Sequence, residues 1–217
     1  MARRQQPWAT RTARDRTDAP ARTQLLDAAE SVFARRGYGL ATIADITAEA
    51  EFSRASFYVY FASKEEIFRV LAVRVRDAFL AAQDVPGVDL DNAAAVAEAS
   101  TAAFISAYAR HLPLLRLLEQ QAQTDGDVRE LWDEIQERPV HRAARYIRRL
   151  SADGRLAPVA DPLSVARAVG GMSIQFARLV AQRPKEYDAA VRDVTAMYLH
   201  LLGTGTARCE PAGPRST

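Results

Sequence analysis

The hydrophobic pattern of this chain predicts an all-α protein of about nine helices. Three observations carry that reading: apolar residues recur at spacings of three and four in the patterned segments, no segment alternates as a half-buried strand does, and the breaks fall at proline, glycine and helix-capping side chains. With 217 residues, 48% of them hydrophobic and 26% charged, the chain has the make-up of a globular protein with one large core or two small ones.

Residues 1–20 carry Arg3, Arg4, Arg11, Arg14 and Arg16 among Pro, Thr and Ala without any apolar period, the signature of a disordered basic arm. Such an arm lies along a minor groove or phosphates, or is simply a solvated tail; the sequence leaves both open. Over 21–36, Leu25, Leu26, Ala29 and Phe33 share one helical face, and Gly37-Tyr38-Gly39 stops the helix. Arg35 and Arg36 fall in its last turn, where they complement the helix dipole, the competing reading being contact with DNA. Ile43, Ile46 and Ala50 then resume the period, which breaks across Glu51 and Phe52 and starts again at Phe57 and Phe61. Two short helices joined by a tight turn are a helix-turn-helix. Thr42 with Asp45 makes a capping-box-like entry to the first helix, and Ser53 with Ser56 can cap the second. A further capping box, Ser63-Lys64-Glu65-Glu66, opens a long fourth helix running to about residue 83 through Ile67, Val70, Leu71 and Ala78.

Asp84-Val85-Pro86-Gly87 ends that helix and marks a boundary. The helices expected beyond it cover 90–110, 112–123 (set off by Pro113), 126–153 (stopped by Gly154), 162–182 and 185–202. Asp161-Pro162 is an N-cap with proline at the first helical position, and Arg183-Pro184 separates the last two helices. The organisation expected is therefore the arm over 1–20, a helix-turn-helix domain over 21–84, a second helical bundle over 85–202, and a loose tail over 203–217.

The second helix of the motif carries Arg54, Ser56, Tyr58 and Tyr60 around its buried Phe57 and Phe61, with Lys64 just beyond. That polar face suits a major groove bounded by phosphates. The stretch 42–64, TIADITAEAEFSRASFYVYFASK, resembles the DNA-binding signature of the TetR family of transcriptional repressors. In that family a Thr opens the first helix of the motif and Ser-x-x-x-[Leu/Phe]-Tyr-x-[His/Tyr]-Phe-x-x-Lys runs through the second. Here those positions are Thr42, Ser53, Phe57, Tyr58, Tyr60, Phe61 and Lys64, so the likeness covers about the N-terminal quarter. Three positions depart from the pattern: Thr47 and Glu51 replace the usual Ala and turn Gly, and Ala55 replaces a common Gly. A left-handed turn residue other than Gly costs about 1 kcal/mol.

At the DNA surface, Arg54, Ala55, Ser56 and Val59 are expected at base edges, with Arg54 the best partner for a guanine. Thr42, Ser53, Tyr58, Tyr60 and Lys64 are expected to hold phosphates. For Tyr58 the competing reading is partial burial beside Phe57; for Lys64 it is an ion pair with neighbouring carboxylates.

The last two long helices present Val165, Val169, Met172, Phe176 and Leu179, then Val191, Val194, Tyr198 and Leu201. If the bundle buries one face of each, the other faces need a partner, and a homodimer is the economical one. Gly170-Gly171 inside a helix fits close approach of another helix, or simple tolerance. A twofold dimer would set two reading heads about 34 to 36 Å apart on a palindromic DNA operator, and the TetR resemblance implies the same four-helix interface. Phe79, Phe104, Tyr108, Leu112, Leu115, Trp132, Ile135, Met172 and Phe176 form an apolar and aromatic set that, taken alone, reads as core. The resemblance makes it a candidate ligand pocket. Around Glu130-Leu131-Trp132 and the fourth helix the sequence looks like the EthR branch, whose pocket is a deep apolar channel, which implies a small apolar or amphipathic effector.

Other classes find little support. Cys209, the single cysteine, permits neither a disulfide framework nor a cysteine metal site, in keeping with a cytoplasmic protein. The N-terminus has no apolar signal region, and uncharged runs such as 99–109 are too short for a bilayer, so neither secretion nor membrane insertion is expected. Net charge is +2, and its excess lies in 1–62, which hold nine arginines against seven acids, so the case for DNA rests on placement within the motif. His111, His141 and His200 are isolated, and no Glu-x-x-His pair supplies a carboxylate–metal site. Gly171-Met172-Ser173-Ile174-Gln175 lacks the last glycine of a nucleophile elbow. Gly203-Thr204-Gly205 starts a dinucleotide pattern that Arg208 interrupts. No catalytic residue, metal or cofactor is expected. The alternative function is a helical carrier or interaction protein that kept the fold and lost DNA binding.

Overall fold

A computed structural model describes residues 20–204 except residue 83; the basic arm and Cys209 lie outside these residues. The described residues form eight α-helices and one 3-10 turn: α1 Pro20–Leu40, α2 Ile43–Glu49, α3 Arg54–Tyr60, α4 Lys64–Ala82, α5 Ala93–Gln121, α6 Gly126–Ala152, α7 Pro162–Gln182, the 3-10 turn Pro184–Glu186, and α8 Tyr187–Leu201. No strand occurs among them, as the patterning predicts. Among the described residues the helices contribute to two compact units, residues 20–75 with 113–132, and residues 76–112 with 133–204. Each changeover falls inside a helix, and the loop at Asp84-Val85-Pro86-Gly87 belongs wholly to the second unit.

In the first unit α1 packs against α2, and α2 against α3. Leu25, Leu26, Ala29, Val32 and Phe33 supply the buried face of α1. Its regular winding breaks at Gly37, whose φ of 74° is a conformation that only glycine adopts freely. Ile46, Phe57, Phe61, Ile67, Phe68 and Leu71 complete this core, and Phe33, Tyr38 and Phe68 form a ring cluster with centroids 4.6 to 5.6 Å apart.

Pro113 does not divide α5, so the two helices expected over 90–110 and 112–123 are one. A proline inside a helix costs about 3 kcal/mol. Here Leu112, Leu114, Leu115 and Leu118 are all at most 5% exposed, and burial of each is worth about 1.5–3 kcal/mol. Four such side chains straddling the proline outweigh the lost hydrogen bond.

In the second unit Ala144, Ile147, Leu150, Leu156, Val165, Val169, Tyr198 and Leu202 share one cluster. Asp161 caps α7 by accepting from the amides of Leu163 (2.9 Å) and Ser164 (3.4 Å), with Pro162 following as expected. Gly203 ends α8 at φ 73°, where a Cβ would stand 2.0 Å from the carbonyl oxygen of Ala157. No larger residue fits that corner.

Candidate nucleic-acid interface and ligand cavity

The entry to α2 is a complete capping box. Thr42 Oγ1 accepts from the Asp45 amide (3.2 Å), and the Asp45 carboxylate accepts from the Thr42 amide (2.9 Å) and hydroxyl (2.7 Å). Those bonds from Thr42 hold the Asp45 carboxyl below the usual carboxylate range. Arg36 pairs with Asp45, while Arg35 bonds Glu49 at 2.8 and 3.0 Å and Ser31 at 2.6 Å. The two arginines thus lash α1 to α2 instead of serving only the end of their own helix, and the Arg35 bond depresses the Glu49 carboxyl as well.

Between α2 and α3 the chain reverses through Glu51 at φ 57°, the left-handed geometry normally given to glycine. The Phe52 amide donates to the Thr47 carbonyl at 2.8 Å, which closes the turn. Thr47, in the place of the usual alanine, is 4% exposed and satisfies its hydroxyl on the Ala44 carbonyl at 3.1 Å. The motif therefore keeps its turn despite both substitutions.

Ser53 caps α3 through the Ser56 amide (3.0 Å), as its spacing suggests, and the two hydroxyls lie 2.9 Å apart. Phe57 and Phe61 anchor the helix at no more than 1% exposure. On the other side Arg54, Ala55 and Tyr58 are exposed and Ser56, Val59 and Tyr60 half-buried, so the residues expected at base edges share a seven-residue helix rooted in the core. Tyr58 is 52% exposed despite an edge-on contact between its ring and Phe57.

Two expected phosphate ligands are already engaged. Thr42 commits its amide and hydroxyl protons to Asp45. Lys64 Nζ donates to the carbonyls of Tyr38 (2.9 Å) and Ala41 (3.0 Å) and sits 4.5 Å from the centre of the Tyr38 ring. The ammonium thus clasps the end of α1 to the start of α4 and keeps one proton for another partner. Tyr38 in turn donates to Glu65 at 3.2 Å; burial, followed by the neighbouring Glu65 charge, pushes its phenol up to about 12. The sequence did not single out Arg22, whose guanidinium lies 5.1 Å from the centre of the Phe61 ring. The residues are too far apart for a local pattern to reveal the pair.

Within the second unit lies a cavity of about 380 Å³, inside the range of roughly 300–1,000 Å³ typical of small-molecule pockets. Of the pocket candidates, Phe79, Phe104, Tyr108 and Ile135 line it, and Leu112, Leu115, Trp132, Met172 and Phe176 do not. Leu115 and Trp132 belong to the first unit, and Leu112 is 5% exposed in the core. On α7 the wall is Ala166, Arg167, Val169, Gly170, Gly171, Ser173 and Ile174, a face at helical spacing that Met172 and Phe176 do not join. Small side chains open this space, whereas the pattern of large apolar residues had pointed to bulkier walls. The glycine pair belongs to the same wall: a Cβ on Gly170 would meet Val140 at an ordinary 3.7 Å and one on Gly171 nothing within 4 Å, so no approaching helix within this chain requires them.

One side of the cavity is closed by the α4–α5 loop through Val85 and Leu90. Four residues from α6 and the turn after it hold that loop: Arg142 to Asp84 (2.5 Å), Tyr146 and Arg149 to the Leu90 carbonyl (3.1 and 3.4 Å), and Arg155 to Asp91 (2.6 Å). The Arg155 bond keeps the Asp91 carboxyl below its ordinary range. None of the described helices is long and apolar enough to cross a membrane.

A three-helix head with a capped, core-rooted reading helix of exposed polar side chains defines a helix-turn-helix DNA-binding domain. Residues 25–71 match the family model described as bacterial regulatory proteins, tetR family. A 63-residue stretch is 41% identical to the HTH-type transcriptional regulator YfiR of Bacillus subtilis (strain 168), spanning 29% of this chain and 29% of that protein. The fold as a whole is similar to a TetR-like transcriptional regulator from Rhodococcus sp. RHA1, with a TM-score of 0.67 and 25% identity over 87% of this chain and 98% of that one. It is also similar to the fatty acid degradation regulator FadR from Bacillus halodurans, with a TM-score of 0.63 and 18% identity over 84% and 96% of the two chains, a likeness of fold alone. The match to the family model is thus confined to the head, residues 25–71, while the likeness to the Rhodococcus regulator extends over 87% of this chain.

Proposed function

We propose that this chain is a ligand-responsive transcriptional repressor that binds a palindromic operator as a homodimer and is released by a small apolar or amphipathic effector. The observation that carries the reading is the pairing, in one chain, of a tetR-family reading head with an apolar cavity served by the same helix. α4 begins at Lys64, which clasps the head, and contributes Phe79 to the cavity wall. An effector that tilts α4 would shift the head, and a hundredfold preference for the shifted form supplies about 2.7 kcal/mol of coupling.

On this reading Arg54, Ala55, Ser56 and Val59 meet base edges while Ser53, Tyr58 and Tyr60 meet phosphates. Lys64 offers its third proton to a phosphate, and Thr42 serves chiefly by holding α2 in place. Dimerisation through α7 and α8 is supported by Met172, Phe176, Leu179 and Val191, which stay only half-buried, and by the 36% exposure of Met197. Arg178 Nε and Thr195 Oγ1, on the same two helices, are buried without a hydrogen-bond partner among the described residues. A deep apolar pocket is also what the EthR-like likeness implies, and the cavity supports it, although Trp132 takes no part in the wall.

The test is selection of bound duplexes from a random pool, followed by gel shifts with and without compounds that bind the protein. The expected result is a palindromic consensus bound by two copies and weakened by the compound. A chain that binds such compounds yet selects no duplex would be a carrier, and the proposal would be wrong.

A further inference from the structure

We propose that the cavity selects an uncharged, largely apolar molecule that accepts hydrogen bonds, such as an aryl-alkyl ketone or a neutral ester, and rejects carboxylates and amines. The inference rests on the reading of the cavity as the effector site and adds the chemistry of its occupant.

Six hydroxyl-bearing side chains line the wall: Ser100 and Tyr146 donate to the carbonyls of Ala97 (3.3 Å) and Leu90 (3.1 Å), while Thr101, Tyr108 and Tyr198 are exposed by only 3%, 3% and 5%. The hydroxyls of these last three make no hydrogen bond to the described residues, whereas Ser173, on the same wall, donates to the Val169 carbonyl at 2.8 Å. A buried hydroxyl gains from an acceptor and loses if faced only with hydrocarbon. Burial also pushes the Tyr198 phenol up to about 12, so it remains a neutral donor throughout the physiological range.

The charged lining groups are arranged differently. Glu137, Arg142 and Arg167 keep side-chain exposures of 51%, 44% and 57%, so they form a rim. Each is already opposed: Arg167 lies 3.7 Å from Glu137, and Arg142 bonds Asp84 at 2.5 Å. No cation is left to receive a carboxylate at depth, nor any deep carboxylate to receive an amine, and an uncompensated charge does not enter an apolar cavity. The remaining character is aromatic. Phe79, Phe104 and Tyr108 form a mutual cluster with centroids 5.6 to 5.9 Å apart, a shelf against which a ring or chain can pack.

Three probes of similar shape separate the possibilities: 4-phenyl-2-butanone, 3-phenylpropanoate and 3-phenylpropylamine. Each is titrated at pH 7.5 against the full chain carrying the neutral apolar dye N-phenyl-1-naphthylamine as an occupancy reporter. The ketone should displace the dye at a concentration at least tenfold lower than either ion. Thr101→Val, Tyr108→Phe and Tyr198→Phe, which keep shape and remove a hydroxyl, should between them weaken the ketone by about threefold to tenfold per bond lost, with unchanged dye affinity. Dye binding with equal or better displacement by the carboxylate or amine overturns the charge inference alone. Unchanged ketone affinity in all three variants overturns the hydroxyl assignment. Failure of the dye and of every probe to bind removes the effector-cavity reading, and this inference with it.

Discussion

Replacing Lys64 by Met keeps the aliphatic stem and removes the ammonium that joins the start of α4 to the end of α1. The lost contacts are two charge-assisted hydrogen bonds, to Tyr38 O at 2.9 Å and Ala41 O at 3.0 Å, and the approach to the Tyr38 ring at 4.5 Å. Hydrogen bonds from charged donors are worth about 1.5–3 kcal/mol each and an exposed cation–π contact about 0.5–1 kcal/mol. The site is only part-buried, so water replaces some of this, and a net loss of about 2–3 kcal/mol follows. For a chain of this size 1 kcal/mol moves the melting midpoint by roughly 2–4 °C. Thermal unfolding followed by circular dichroism should therefore show a drop of about 5–10 °C. Operator binding, measured on the folded variant well below that midpoint, should weaken. The slope of log affinity against log salt should fall by about one only if the third Lys64 proton reaches a phosphate. An unchanged midpoint would refute the assignment of Lys64 as a clasp.

Gly203→Ala should be more damaging, because a Cβ would stand 2.0 Å from Ala157 O at a φ of 73°; a loss of at least about 2–3 kcal/mol in a denaturant titration is expected. Glu51→Gly should stabilise the head, since relief of the left-handed strain at φ 57° returns about 1–2 kcal/mol against about 0.4–1 kcal/mol of added unfolded-chain entropy; a lower melting midpoint would contradict that. Acid should loosen the molecule. Asp45, Glu49, Glu65 and Asp91 titrate below their ordinary values of 3.8 (Asp) and 4.5 (Glu), so their contribution is present above those values and is lost as pH falls through the folded ones. A midpoint flat from neutral pH to about 5.5 that falls below about 4.5 is expected, with a shallower fall in Glu49→Gln. Tyr38 acts at the other end: its proton is held more tightly in the folded state, so stability should decline as pH rises from 10.0 towards about 12.

Local signals were the legible ones. Thr42 with Asp45, Ser53 with Ser56, and Asp161 before Pro162 each cap the helix their spacing indicates, because capping depends on residues three or fewer apart. Glu51 was legible as strain because the turn geometry belongs to the motif whatever residue fills it. Pro113 misled for the opposite reason: its local cost is real, but the leucines on either side are held by packing that no short window contains. The cavity wall was half legible. Phe79, Phe104, Tyr108 and Ile135 announce themselves by size, while Gly170 and Ser173 matter because they leave space, and space has no sequence signature. The latches from Arg142 and Arg155 reach 58 and 64 residues back along the chain, beyond any periodicity argument.

The central claim is that α3 reads DNA sequence, and Arg54 tests it most directly. The measurement is the affinity of the wild-type chain and of Arg54→Ala for the selected operator and for a scrambled duplex, each across a series of salt concentrations. The variant should lose about 1–3 kcal/mol on the operator and much less on the scrambled duplex, so that the ratio between them narrows. Equal affinity of both proteins for the operator, at every salt concentration, would contradict it.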